Sequence, residues 1–233
     1  MKRIVSIILV CLTLLSIAVP ASAAEQRAST YRFVDVNEGA YYYDAVQWAV
    51  STGITAGTDS THFSPNQLCT RAEVVTFIWR SFGSQKPKTL ISPFKDVKRG
   101  TFYYDAVLWC VENHITSGTS ADYFSPTEYC TRGQVATFLF RMTAYRNDWD
   151  YYKILTMKPL LEGWVRQNPR VKFEDVSFSD YYGYSVYAME FWGIVAGTNV
   201  CPHLFKPNRV CSRAEAVMML YRYWHHDWSS DGM

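Results

Sequence analysis

One short phrase occurs three times in the chain: CTRAEVVTFIWR from Cys69, CTRGQVATFLFR from Cys130 and CSRAEAVMMLYR from Cys211. A second matched block lies upstream of each: FVDV at Phe33, FKDV at Phe94 and FEDV at Phe173. Phe33 and Phe94 are 61 residues apart, as are Cys69 and Cys130, so the first copy maps onto the second without gaps. Phe173 follows Phe94 by 79 residues and Cys211 follows Cys130 by 81, which puts a two-residue insertion near Cys201 in the third copy. A repeat of about 50 residues constrains the fold more than any single residue can. A unit this small cannot bury its apolar face alone, whereas three copies bury it together.

Within the first copy, Ala45, Val46, Trp48 and Ala49 are apolar at helical spacing, and Gly53 ends that helix. Phe63 and Pro65 mark an extended turn, and Thr70 opens a second helix through Val74, Val75, Phe77, Ile78 and Trp79 to Arg80. The second copy repeats each element, with Ala106, Val107, Trp109, Gly118, Phe124, Pro126 and Thr131 in matching places. The third does so more loosely, with Val186, Ala188, Gly193, Gly197, Phe205, Pro207 and Ser212. The expected fold is all-α: three helix-loop-helix repeats, at 33–82, 94–142 and 173–223, in a compact pseudo-threefold module. Residues 143–172 form an insertion. It holds an expected short helix at Ile154 to Val165, interrupted by Pro159 and Gly163. The tail 224–233 is expected to be flexible.

Residues 1–23 have the form of a secretory signal. Lys2 and Arg3 precede an apolar run from Ile4 to Val19, and Ala-Ser-Ala at 21–23 suits cleavage. The run is short for a membrane anchor, and no membrane span is expected after cleavage. The whole chain has 23 basic and 21 acidic residues, so loss of Lys2 and Arg3 leaves the charge near zero. Bulk attraction to nucleic acid is therefore not implied, and any anion must be held by a local site. Of six cysteines, five lie beyond the leader, an odd number for a secreted chain. Cys201 and Cys211 flank the third copy's insertion and are open to a disulfide closing that loop. Cys69, Cys130 and Cys211 share one position and read as small buried residues rather than metal ligands. No metal site and no cofactor is expected.

Most of the repeated phrase is explained by helix initiation. Thr70 with Glu73, Thr131 with Gln134 and Ser212 with Glu215 have capping-box spacing, in which hydroxyl and carboxyl or amide each take a backbone N–H. Arg80, Arg141 and Arg222 close those helices, where a cation suits the dipole. Arg71, Arg132 and Arg213 do not fit, because they stand at helix N-termini, where the dipole disfavours a cation. Two uses remain open. One is an internal salt bridge to Asp35, Asp96 or Asp175 in the lead-in blocks. The other is recognition of an external anion by a guanidinium beside free helix amides.

In combination, F-x-D-V, an Ala/Val/Trp-rich helix, G-I-x-x-G, F-x-P and T-R-A-E resemble S-layer homology domains, over nearly all of Phe33 to Arg222. The resemblance implies a three-pronged helical module. It also implies non-covalent binding of secondary cell-wall polysaccharide, often bearing pyruvylated amino sugar, in grooves between repeats. It implies location at the cell wall or S-layer of a Gram-positive-type envelope, with S-layer or other surface proteins as further partners. Carried over, it points to Arg71, Arg132 and Arg213, with Asp35, Asp96 and Asp175 beside them. Tyr42, Tyr43, Tyr103, Tyr104, Tyr181 and Tyr182 precede first helices, where sugar rings could stack, although packing explains most such aromatics equally well. Gln134 keeps the cap without the charge, so its groove is expected to bind more weakly or differently. The third copy's changes put most doubt on the groove between copies two and three. Two other functions compete: an adaptor protein binding a protein through the insertion, and a small cell-wall hydrolase using Glu73, Glu215 or the lead-in aspartates.

Overall fold

The three second helices start at the arginines of the repeated phrase. In a computed structural model describing residues 33–198 and 203–231, they are α2 (Arg71–Ser81), α4 (Arg132–Arg146) and α7 (Arg213–His225). The first helices are α1 (Tyr43–Ser51), α3 (Tyr104–Glu112) and α6 (Gly183–Phe191), and α5 (Tyr151–Gln167) is the insertion helix. The protein is all-α among the described residues, with only isolated bridges between extended segments. The expected leader and Cys201 lie outside those residues.

Each second helix carries a complete capping box. Thr70, Thr131 and Ser212 accept the amides of Glu73, Gln134 and Glu215, whose side chains reach back to the cap amide. Such a cap contributes about 1 kcal/mol per helix. The next amides are also engaged. Those of Arg71 and Ala72 donate to Glu128 and Pro126 of the second copy, and those of Arg132 and Gly133 donate to Arg209 and Pro207 of the third. Those of Arg213 and Ala214 donate to Gln67 and Pro65 of the first. The cysteines before the caps close the same circuit: Cys69 donates to Cys211, Cys211 to Cys130 and Cys130 to Cys69. Helix packing runs the same way, α2 on α3, α4 on α6 and α7 on α1. Every copy thus buries its second helix against the next copy, which is why one copy alone lacks a core.

The lead-in aspartates serve the turn. Asp35 accepts the amides of Phe63 and Ser64 at 2.9 and 2.8 Å, Asp96 those of Phe124 and Ser125, and Asp175 those of Phe205 and Lys206. Ser64, Ser125 and Lys206 all have φ near +60° (59°, 60° and 59°), a conformation L-residues avoid, and two charge-assisted bonds hold each turn there. The same clamp seats Phe63, Phe124 and Phe205, fully buried, against Phe33, Phe94 and Phe173 at 5.9, 5.9 and 5.5 Å between ring centres. Gly118 runs beneath Phe94 at φ +80°, where a Cβ would lie 2.6 Å from the ring.

Four expectations need correction. α4 runs past Arg141 to Arg146 and α7 past Arg222 to His225, because Met142 and Thr143 in α4 and Tyr223 in α7 are buried and extend the apolar face. The insertion helix has 17 residues rather than being short. Asp150 caps it, Pro159 and Gly163 sit inside it, and Leu161 and Val165 bury. The tail is folded through Asp231: Trp228 donates its indole N–H to Tyr223 O at 3.2 Å and packs on Trp192 and Tyr223. Cys211 is a free thiol, fully buried in the central circuit with Cys69 and Cys130. Burial pushes all three thiols up from their ordinary value, which suits inert packing.

Candidate anion-binding groove

The three N-terminal arginines are held alike by the backbone. Each crosses into the next copy and donates its Nε–H to the carbonyl of the turn phenylalanine: Arg71 to Phe124 O, Arg132 to Phe205 O and Arg213 to Phe63 O, at 3.0, 2.9 and 3.1 Å. The guanidinium lies over that same ring, 4.8, 4.6 and 5.1 Å from the centre. All three are buried, between 3 and 6% exposed. A desolvated cation needs hydrogen-bond acceptors for its remaining N–H groups.

The copies differ in what those acceptors are. Arg213 pairs through Nη1 with Glu73 at 3.0 Å and through Nη2 with Thr55 Oγ1 at 3.0 Å. Arg132 pairs through Nη1 with Glu215 at 3.4 Å and donates Nη2 to Ala196 O at 2.8 Å. Arg209 also binds both oxygens of Glu215. Burial opposes that carboxylate's charge, yet these bonds hold its pKa below the ordinary value. In both cases the partner is the capping-box carboxylate of the next copy. For Arg71 the matching residue is Gln134, which brings no charge. Nη2 of Arg71 is buried without a hydrogen-bond partner among the described residues.

Arg71 lines an open groove of about 360 Å³. Arg71, Gln134, Thr137, Phe138 and Arg141 form one side of it, with the Thr116–Thr119 loop and Tyr181 around them. Arg141 donates Nη1 to Ile115 O at 3.5 Å, and Tyr181 is 65% exposed at the rim. Burial pushes both arginines below and Tyr181 above their ordinary values. The groove therefore offers two guanidinium groups, several hydroxyls and one aromatic face, and its lining contains no carboxylate. Gly133 makes room for the same copy's neighbour, since a Cβ there would lie 3.1 Å from the Tyr182 ring and from Pro207 O.

Several site expectations change here. The arginines do not pair with Asp35, Asp96 or Asp175, whose carboxylates are engaged by turn amides. The helix amides expected beside each guanidinium are not free either, being donated to the next copy or to the cap hydroxyl. Arg141 was legible only as a helix-end cation, and no sequence signal placed it beside Arg71. Of the aromatics named from sequence, Tyr181 reaches the Arg71 groove, whereas Tyr182 is buried. Tyr41, not singled out before, stands near Arg209, Cys211 and Glu215 in the corresponding position beside Arg132. A separate apolar cleft of about 210 Å³ lies between α5 and α6, with Leu160 and Phe191 exposed at its edge.

These features define a class: a helical repeat module with a basic, hydroxyl-rich groove between successive helix pairs. The S-layer homology domain occurs twice in the chain, at residues 32–75 and 93–136. The chain is similar to a surface-layer 125 kDa protein of Lysinibacillus sphaericus, 35% identical over 123 residues, covering 52% of the chain and 10% of that protein. It is also similar to an endoglucanase of Bacillus sp. (strain KSM-635), 27% identical over 147 residues, 62% of the chain and 15% of the enzyme. A cell surface protein of Thermoanaerobacter kivui is 28% identical over 129 residues, 53% of the chain and 17% of that protein. The chain thus spans less than a fifth of each of these relatives.

Proposed function

We propose that this chain attaches non-covalently to a cell wall by binding an anionic wall glycan in the Arg71 groove. The observation that carries this reading is the buried, unpartnered Nη2 of Arg71, a residue that lines that groove. A desolvated donor left unmade costs about 1–3 kcal/mol, which a carboxylate ligand would recover. Arg71 and Arg141 present planar donors suited to a carboxylate such as a pyruvate ketal. The Tyr181 ring at the rim suits the face of a sugar. Secondary cell-wall polysaccharide combines both features. Residues 173–223 act as a third copy in this scheme, since they supply Tyr181 and close the circuit, and residues 1–23 export the chain. The similarity to surface-layer and cell surface proteins supports the same placement.

A hydrolase reading loses its candidates. Glu73 and Glu215 pair with different arginines, each committed to a cap and a guanidinium. A glycosidase acid needs a raised pKa, and that of Glu215 is lowered. Wall sedimentation tests the proposal. The protein should co-sediment with purified walls, lose binding when the non-peptidoglycan polymer is removed, and bind at least tenfold more weakly as Arg71→Ala, by the loss of one charge-assisted contact. Undiminished binding by Arg71→Ala would remove the assignment.

A further inference from the structure

The three N-terminal arginines share one construction, Nε–H to the turn carbonyl of the next copy, and the third residue of that copy's capped helix is a carboxylate paired with Arg213 and Arg132 but Gln134 in the Arg71 groove. We propose that this residue sets how many anions the chain can hold. A glutamate there occupies the incoming arginine from within, and Gln134 leaves Arg71 as the one open site. This rests on the preceding reading that the groove takes a carboxylate-bearing glycan. Glu73 and Glu215 each present a carboxylate oxygen to Arg213 and Arg132 at the place where an external carboxylate would bind. An external ligand would have to displace a tethered carboxylate of the same chemistry, whose effective concentration is high because the cap fixes it. It would also meet that carboxylate's charge at close range. Gln134 can oppose neither way, because its Oε1 is turned to the Thr131 amide at 3.1 Å and it carries no charge.

The same comparison shows that the position can be exchanged without breaking the fold. Both Glu73 and Gln134 complete a capping box, so Glu and Gln are equivalent in starting the helix. They differ only toward the arginine of the preceding copy. Gln134 is thus a specificity-determining residue of the groove, a role hidden behind its cap.

The test is calorimetric titration with a methyl hexoside bearing a 4,6-linked pyruvate ketal, with thermal melts confirming each fold. The wild type should titrate with one site. Gln134→Glu should close that site, weakening binding at least roughly tenfold through the lost charge-assisted contact. Glu73→Gln should free Nη1 of Arg213 and add a second site. The exchange of both, Glu73→Gln with Gln134→Glu, should return to one site, now abolished by Arg213→Lys and insensitive to Arg71→Lys. Wild-type-like affinity in Gln134→Glu, two or three sites in the wild type, or a single site in Glu73→Gln would overturn this inference and leave the groove assignment standing. No binding by any of these proteins would remove the groove assignment and this inference together.

Discussion

Replacing Arg71 and Arg213 by the same residue should have very different effects on stability. Arg213→Met breaks a buried pair: it strips Glu73 of its guanidinium and leaves Phe63 O and Thr55 Oγ1 without their donor. Breaking one side of a buried ion pair costs about 3–5 kcal/mol, and the partial exposure of Glu73 (19% of its side chain) argues for the lower end, about 3. Arg71→Met also loses one bond, to Phe124 O, which costs about 1 kcal/mol. It removes at the same time a buried, unpartnered Nη2 and the desolvation of an unpaired cation, which offsets a similar amount. Methionine keeps most of the contact with the Phe124 and Phe138 rings. Arg71→Met should therefore lie within about 1 kcal/mol of the wild type, and Arg213→Met about 3 kcal/mol below it. Urea unfolding gives the comparison directly, and at this size 1 kcal/mol moves Tm by roughly 2–4 °C, so the two variants should melt about 5 °C or more apart. Equal losses would refute the argument, because they would mean that Arg71 is as well satisfied as Arg213 and the groove is not open.

Three further outcomes follow from the same structure. Asp96→Ala should destabilise by about 2–3 kcal/mol in urea melts, since two charge-assisted bonds to the Phe124 and Ser125 amides are lost and a left-handed residue is left unsupported. His114→Gly should stabilise by about 1 kcal/mol: His114 ends α3 at φ +58°, where the matching residues of the other copies are Gly53 and Gly193. Glu190 on α6 has its pKa pushed up to about 7 by burial, only partly offset by Arg222. A folded value above the ordinary 4.5 means that its contribution to stability is full below that pH and is lost as pH rises toward about 7. After allowance for its partial exposure, the fall should be roughly 1–2 kcal/mol, and Glu190→Gln should abolish it when stability is compared at pH 5 and pH 8.

Local features were legible where one copy contains both partners. The capping boxes, the helix periods and the ending glycines are short-range patterns, and three repetitions of each averaged out the noise of any single one. The length of α5 was hidden because Pro159 and Gly163 break helices in isolation, whereas Leu161 and Val165 bury against the rest of the protein and hold this one. The folded tail was hidden for the same reason: its polar residues read as mobile, while Trp228 packs half-buried beside Trp192 and Tyr223.

By itself, the sequence determined that the chain is three helix pairs, that their second helices are capped, and that an arginine follows each cap against the helix dipole. Tertiary structure alone decided what those arginines do. Each crosses into the next copy, so its partner is 83 or 140 residues away for Arg132 and Arg213, and no local spacing reveals it. The glutamate written beside Arg71 serves Arg213 instead, and Arg71 faces the one copy whose cap carries no charge. A substitution silent for helix capping thus leaves one guanidinium of the three without the cap carboxylate that the other two hold.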